Sequence, residues 1–347
     1  MTNLFNEYEN KGLTGLANVG NSCYLNACMQ LLSHTYELNN FLKDNNYKRK
    51  INIDNKIESI LLTEWDKLRE LMWSTNCTIA PHGFVNAVQQ VAIIKNREIF
   101  SGYIQNDIQE FLIFLIDTFH TALSRNVDMQ IEGLVKNEMD KVAIKCYNMM
   151  KNMYESEYSE MLDIFYGIHI SRITSIEGDI LSDTPEPFSI LSLPIPNKKE
   201  ISLYDCFDEY CKKEHLFGDE SWLNDKTNEK QDVHRGIIFW SLPNVLIIDL
   251  KRWNENGSKN NTLVQTPIDE LDLVKYVCGY NKNHYKYELY GICNHSGVSE
   301  GGHYTAVIKN ANGKWYNFND TEINELTSDK LITSYSYCFF YRKKFNG

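Results

Sequence analysis

Apolar residues recur with a helical period in the first third of the chain. In the segment "LNACMQLL" the positions i, i+3, i+4 and i+7 are Leu25, Cys28, Met29 and Leu32. The segment "NDIQEFLIFLIDTFH" repeats this spacing with Ile108, Phe111, Leu112, Leu115 and Phe119. Such spacing places the apolar side chains on one helix face. We therefore predict two amphipathic helices, followed by a polar helical segment over about 125–160 that is typical of an insertion.

The pattern changes to that of strands from about residue 165 onward. The run "NVLIIDL" is short and apolar, as in a central strand, and "KYELYGIC" alternates between apolar and polar residues. The segments "HYTAVIK" and "KWYNF" flank "NANG", which is a hairpin signal. Helices first and strands later predict an α+β fold.

Cys23 lies at the predicted start of the first helix, directly after Asn21 and Ser22, two residue types that favour the N-cap. The positive end of the helix dipole favours a thiolate there, so with a base nearby we expect an acidic, reactive thiol. On the local evidence alone, a buried, reduced cysteine is the preferred reading. That reading suits most of the nine cysteines, because their odd number and the absence of any Cys-x-x-Cys pair argue against disulfides or a zinc cage.

A nucleophilic cysteine needs a base, and the base needs an orienting group. His303 follows two glycines at the head of the strand "HYTAVIK". With a four-residue loop at 310–313, residue 309 pairs with 314 and residue 303 faces 320. The simplest hairpin therefore places Asp320 beside His303, whereas a bulge or a five-residue loop places Asn319 there.

Length, net charge and the distribution of apolar residues limit the class of protein to which the chain can belong. The 347 residues allow one large domain or two smaller ones. The net charge of −11 argues against nucleic-acid binding. No apolar run approaches 18 residues, and the start "MTNLFNEYEN" lacks the features of a secretory signal. We therefore expect an intracellular protein, cytoplasmic or nuclear, that does not bind membranes.

Five blocks carry a resemblance to a known family. They are "GLANVGNSCYLNACMQ", "GYIQNDIQEFLIFLID", "PFSILSLPIP", "LPNVLIIDLKRW" and "YELYGICNHSGVSEGGHYTAVIKNANGKWYNFND". In this order they resemble the ubiquitin-specific proteases, which are papain-like cysteine peptidases, and the similarity extends over residues 12–341. It implies a thumb, palm and fingers arrangement in one catalytic domain. We expect a tail at 1–11, a helical thumb at 12–125, a helical insertion at 126–161, and the palm and fingers at 162–347.

The resemblance also implies catalytic roles. Cys23 matches the nucleophile, His303 the general base and Asn319 the orienting residue, which disagrees with the simplest hairpin. Asp320 is then a supporting neighbour. Asn18 matches the oxyanion-stabilising asparagine; from the sequence alone, a loop asparagine that caps its own turn is the preferred reading.

The ubiquitin tail, Leu-Arg-Gly-Gly, suggests roles for residues outside the triad. Gly301 and Gly302 resemble the loop that covers the two glycines, and His295 and Tyr304 are expected to help to position the tail. Asp107 and Glu110 lie at i and i+3 on a helix, where they can meet the arginine. A solvated acidic face is the alternative for this pair.

The implied reaction is thiol-dependent hydrolysis of isopeptide or peptide bonds after the C-terminal glycine of ubiquitin, without a cofactor. The implied partners are ubiquitin or ubiquitinated proteins, and we expect a monomer. Family members commonly hold zinc with two Cys-x-x-Cys pairs in the fingers. The matching positions here are not cysteines, so we predict no metal site there: Thr174, Glu177, Asn224 and Thr227. Two rivals are a ubiquitin-binding pseudoenzyme and an acyltransferase of another Cys-His-Asp family.

Overall fold

A computed structural model of the chain describes residues 5–102, 104–224, 227–298 and 301–344. Its α-helices are α1 Cys23–Ser33, α2 Tyr36–Leu42, α3 Lys56–Ser74, α4 His82–Ile94, α5 Ile108–Leu123, α6 Glu138–Glu157, α7 Glu160–Phe165 and α8 Leu203–Tyr210. The first seven precede nearly all of the long strands, as the sequence pattern predicted. None of the helices in the described ranges is both long and apolar enough to cross a bilayer.

The strands fall into one large sheet and several smaller ones. They are β1 Gly15–Leu16, β2 Thr78–Ile79, β3 Gly167–Thr174, β4 Ile180–Phe188, β5 Ile190–Pro194, β6 Ile201–Ser202, β7 Glu214–Leu216, β8 Trp222–Asn224, β9 Glu229–Gln231, β10 Val233–Ser241, β11 Val245–Lys251, β12 Val264–Gln265, β13 Leu271–Asp272, β14 Lys286–Val298, β15 Gly301–Lys309, β16 Trp315–Asn319, β17 Glu322–Leu326 and β18 Ser336–Lys343. The large sheet has the order β17-β16-β15-β14-β18-β11-β5, and β13 pairs with β14. A four-stranded sheet has the order β4-β3-β10-β7.

The two predicted amphipathic helices form the centre of the helical half. All residues of α1 are buried, and the predicted face of α5 is fully buried. The helix α1 packs against α5 and against β14, β15 and β16. The helical patterns therefore place α1, with Cys23 at its first position, directly beside the sheet that carries His303.

The strand β11 is buried on both faces, as the run "NVLIIDL" predicted. Val245 and Ile247 join the core cluster shared with the helices, whereas Leu246, Ile248 and Leu250 join a second cluster that includes α8. A strand enclosed on both sides reads as a continuous apolar run. Asp249 is two residues after Ile247 and therefore lies on the strand face toward the helices. It is the acidic exception in this apolar run.

The hairpin of β15 and β16 has a five-residue loop. Lys309 pairs with Trp315 and Ala306 with Phe318, so the four-residue loop with 309 opposite 314 was wrong. Because side chains alternate along a strand, this shift of one residue moves Asn319, rather than Asp320, to the face that carries His303.

The segments assigned to a tail and to an insertion both pack onto the body of the protein. The Tyr8 ring stacks on Tyr36 with a centroid separation of 4.4 Å, and the Tyr8 hydroxyl donates to Asn40 Oδ1 at 2.6 Å. Residues 1–4 of the predicted tail lie outside the described residues. Within the predicted insertion, helix α6 covers Glu138–Glu157, whereas residues 126–136 form no helix; Cys146 of α6 packs with Trp240 of the four-stranded sheet.

Candidate active site

Cys23 begins α1 and is buried, with 1% of its surface exposed. Its sulfur accepts a hydrogen bond from Gln105 Nε2 at 3.8 Å and another from the backbone N–H of Tyr304. Burial raises the pKa of the Cys23 thiol, and the negative charge of Asp320 adds to this effect. The prediction of an acidic thiol was therefore wrong for the free protein, because desolvation outweighs the favourable backbone N–H groups.

His303 and Asn319 meet across the hairpin. His303 Nε2 lies 2.6 Å from Asn319 Oδ1. A carbonyl oxygen only accepts hydrogen bonds, so Nε2 carries the hydrogen and, in the neutral ring, Nδ1 keeps the lone pair. The structure thus brings together a histidine and the side chain that defines its tautomer. Among the described residues, no hydrogen bond joins His303 to the sulfur of Cys23.

Asp320 binds two asparagines instead of His303. Its Oδ2 accepts from Asn18 Nδ2 at 3.1 Å and its Oδ1 from Asn26 Nδ2 at 2.7 Å. Its backbone oxygen accepts from Leu16 N at 2.8 Å. Asp320 has a φ of 52°, a left-handed conformation that aspartate tolerates better than most residues. It therefore joins the turn after β16 to the segment that leads into Cys23.

Asn18 has the turn-capping contacts that the sequence alone favoured. Its Oδ1 accepts from Gly20 N at 3.2 Å and from Ser22 N at 3.1 Å, which is the turn-capping role. Its Nδ2 donates one hydrogen to Asp320, and an amide nitrogen has a second hydrogen to offer. The side chain is thus held at both ends near the thiol-bearing helix start.

Gln105 was missed by the sequence analysis and bridges the two halves of the site. Gly302 N donates to Gln105 Oε1 at 2.6 Å, and Gln105 Nε2 donates to Gly302 O at 2.5 Å. With its contact to Cys23, this amide fills the space between the thiol and β15. The only sequence signal was its position in the "GYIQNDIQEF" block, two residues before Asp107, the N-cap of α5.

The two predicted glycines differ in their surroundings. A Cβ on Gly302 would lie 2.3 Å from His295 Nε2 and 2.5 Å from Ser296 O, whereas a Cβ on Gly301 would meet nothing within 4 Å. Gly302 is therefore required by close packing, and Gly301 keeps open space beside it. Ser299 and Glu300 of the same predicted loop lie outside the described residues.

His295 and Tyr304 form a buried aromatic pair. Their ring centroids are 4.4 Å apart, and Lys259 Nζ donates to His295 Nδ1 at 2.9 Å. Burial, helped by the charge of Lys259, lowers the pKa of His295 to about 4, and burial lowers the pKa of Lys259 to about 8. The His295 ring is thus neutral near pH 7 and packs against the position of Gly302.

A cavity of about 450 Å³ is lined by Gln105, whose side chain contacts the Cys23 sulfur, and by both predicted acidic residues. Asp107 caps α5 by accepting from Gln109 N at 2.7 Å, and it also accepts from the Tyr337 hydroxyl at 2.5 Å. Glu110 is exposed beside the cavity. A third acid in the lining, Asp249, was not expected; its signal was an aspartate within an apolar strand.

The four positions for which the sequence predicted no metal site lie at or just after the ends of β3 and β8. Thr174 ends β3 and is buried, and Asn224 ends β8, where its backbone oxygen accepts from Thr227 N. Glu177 lies in the connection between β3 and β4. In the described ranges, no group of three or more His, Cys, Asp or Glu side chains is placed to hold a metal ion.

The chain is similar to known proteins over most of its length. The family described as "Ubiquitin carboxyl-terminal hydrolase" matches residues 14–341. The chain is 33% identical to ubiquitin carboxyl-terminal hydrolase 2 of Bos taurus, over 95% of this chain and 55% of that protein. It is 34% identical to the same-named protein of Gallus gallus, over 95% of this chain and 93% of that protein. It thus spans about half the length of the cattle relative.

A solved structure of the SAGA Ubp8/Sgf11/Sus1/Sgf73 DUB module bound to ubiquitin aldehyde has the same fold. The TM-score is 0.74 at 24% identity, and the match covers 97% of this chain and 71% of that one. This likeness confirms the predicted α+β, papain-like fold. Together with the family match over nearly the whole chain, it shows that the protein belongs to the ubiquitin carboxyl-terminal hydrolase family.

Proposed function

We propose that the chain is a thiol-dependent deubiquitinase that hydrolyses isopeptide or peptide bonds after the C-terminal glycine of ubiquitin. The observation that carries this proposal is the 2.6 Å contact between His303 Nε2 and Asn319 Oδ1. It leaves Nδ1 as the basic nitrogen on a strand that packs against α1, the helix that begins at Cys23. The family membership of the chain and its match to relatives named ubiquitin carboxyl-terminal hydrolases support the same activity.

The reaction proceeds through a thioester. Cys23 Sγ bonds to the carbonyl carbon of the terminal glycine while its proton passes to His303 Nδ1. The C–N bond then breaks, and the leaving amine takes that proton from His303. A water molecule next gives a proton to His303 Nδ1 as its oxygen adds to the thioester carbon. The C–S bond then breaks, and the Cys23 sulfur takes that proton back from His303, which restores the thiol. Because burial raises the pKa of Cys23, the resting thiol is neutral and is deprotonated during attack.

Asn18 acts as the oxyanion donor in this scheme. Asp320 holds one of its amide hydrogens, and the other is available to the oxygen that becomes negative in the tetrahedral intermediate. A donor held before the reaction stabilises that charge without reorganisation. Asp320 thus contributes by positioning Asn18 and not by orienting His303.

The substrate tail lies between Gln105 and β15 and displaces the Gln105 amide from Gly302. Gly301 and Gly302 give the two tail glycines room to pass, with His295 and Tyr304 packed beneath them. Asp107 and Glu110 receive the tail arginine in the adjoining cavity, where the carboxylates offer charge-assisted hydrogen bonds.

The test is turnover of a ubiquitin with a fluorogenic C-terminal amide, together with capture by a ubiquitin that bears a C-terminal electrophile. We expect Cys23→Ala to abolish both signals and to keep ubiquitin binding. Cys77→Ala is the matched control, because Cys77 is exposed and should leave both signals unchanged. Turnover by the Cys23→Ala chain would refute the mechanism. Binding without any turnover by the unaltered chain would favour a ubiquitin-binding pseudoenzyme.

We also propose that the chain works as a monomer inside the cell, in the cytoplasm or nucleus, without a cofactor, nucleic acid or membrane. The net charge of −11 and the nine free cysteines support this setting. We propose the same division as above for its one catalytic domain: tail 1–11, thumb 12–125, insertion 126–161, palm and fingers 162–347.

A further inference from the structure

Asp249 is a buried carboxyl group in the middle of β11. Only 3% of its surface is exposed. In the parallel pairing with β5 it lies opposite Ser192, whose side chain hydrogen-bonds to it. Ser192 Oγ in turn accepts from Gln109 Nε2 at 2.5 Å. Asp249 Oδ1 has no hydrogen-bond partner among the described residues, and such an atom destabilises a folded protein when it is buried.

Asp249 lines the same cavity as Asp107 and Glu110. Burial raises the pKa of Asp249, and the charge of Asp107 raises it further. Three acids, from α5 and β11, therefore surround one cavity of about 450 Å³. Burial therefore disfavours the ionised form of Asp249.

The charges of Lys251 and Arg252, which also line the cavity, lower the pKa of Asp249 less than burial raises it. Arg252 donates from Nε to Ser336 O at 2.9 Å and from Nη1 to Asn260 O at 2.8 Å. Within the described ranges, neither Arg252 nor Lys251 forms an ion pair with a carboxylate. Among the described residues, these cations leave Asp249 Oδ1 without a hydrogen-bond partner.

An arginine guanidinium from the substrate can supply a charged hydrogen-bond donor for Asp249 Oδ1. It carries five N–H donors in a planar fork and remains charged at all relevant pH values, so it can serve several carboxylates at once. We propose that Asp249 is a further specificity-determining residue, which together with Asp107 and Glu110 receives the guanidinium of the substrate-tail arginine. The inference rests on the proposed function and deepens it, because it assigns selectivity for arginine to a residue outside α5.

The experiment is a double-mutant cycle. Asp249→Asn and the unaltered chain are compared on two fluorogenic ubiquitins, one with the natural tail and one with the tail arginine replaced by citrulline, which keeps its shape without its charge. We expect Asp249→Asn to lower kcat/KM on the natural tail about tenfold, mainly by raising KM. This is the effect expected for the loss of one charge-assisted hydrogen bond. On the citrulline tail we expect less than a twofold change. Asp269→Asn, the same change at an exposed acid that does not line the cavity, should leave both rates unchanged.

A second measurement does not depend on the folding of the Asp249 variant. The Asp107→Asn, Glu110→Gln chain keeps Asp249 as the cavity's remaining acid, so it should still prefer the arginine tail over the citrulline tail severalfold. Equal rates on the two tails with this chain, or equal losses on both tails with Asp249→Asn, would overturn the inference.

Failure of the proposed function would be visible separately. If the unaltered chain cleaved neither ubiquitin, the proposed hydrolysis would be refuted. The same two ubiquitins would then be titrated against the Cys23→Ala chain with and without Asp249→Asn. Loss of affinity for the arginine tail alone would support the inference, and unchanged affinities would overturn it.

Discussion

Replacing Asn319 with alanine removes the group that orients His303. In the structure, Asn319 Oδ1 accepts from His303 Nε2 at 2.6 Å. Without this acceptor the imidazole is free to rotate and to place its hydrogen on Nδ1, where it cannot take the proton of Cys23. The variant should therefore bind ubiquitin normally and turn over slowly.

The expected magnitude follows from the environment of the contact. Both side chains are half-buried, so the lost bond and the unpaired N–H together cost about 1–3 kcal/mol. At about 1.4 kcal/mol per factor of ten, this is a decrease of roughly 5- to 140-fold in kcat. KM should stay within about twofold, since Asn319 does not line the cavity assigned to the tail.

The assay is steady-state hydrolysis of the fluorogenic ubiquitin amide, with melting temperatures measured in parallel. Asn324→Ala serves as the matched control, because Asn324 is exposed on β17 next to β16 and should leave kcat unchanged. A folded Asn319→Ala chain with an unchanged kcat, or with its whole loss in KM, would show that Asn319 does not orient the base.

Four other outcomes can be measured. The charge of Asp320 raises the pKa of Cys23, so Asp320→Asn should shift the pH midpoint of Cys23 alkylation by iodoacetamide downward; an unchanged midpoint would contradict this electrostatic role. Asn18→Ala should lower kcat about 10²–10³-fold, the scale for one oxyanion donor, and a near-neutral result would leave it only its turn-capping role. Because the Gln105 amide binds Gly302 beside the thiol, Gln105→Ala should speed alkylation of the free protein about fivefold, the equivalent of one hydrogen bond of about 1 kcal/mol; equal rates would mean that the amide does not shield the sulfur. EDTA or phenanthroline should shift neither the melting temperature nor the activity, and zinc lost together with stability would reveal a missed metal site.

The sequence by itself determined the elements and the chemical groups of the site. Apolar patterns depend only on neighbours along the chain, so they identified helix α1, the buried face of α5 and the central strand β11. The same local pattern placed Cys23 at a helix start. His303 and the pair Asn319–Asp320 were brought to one hairpin for the same reason, since its strands are close in sequence.

Only the tertiary structure decided which of these groups meet. A loop longer by one residue moved Asn319, instead of Asp320, to the face of His303, and hairpin loop length is not encoded by periodicity. Burial, which depends on distant elements, raised the pKa of Cys23 against the helix-start argument. Gln105 reaches Gly302, and Asp249 shares a cavity with Asp107, across 197 and 142 positions of sequence respectively. Contacts at such separations arise from tertiary packing, so no local sequence pattern predicts them.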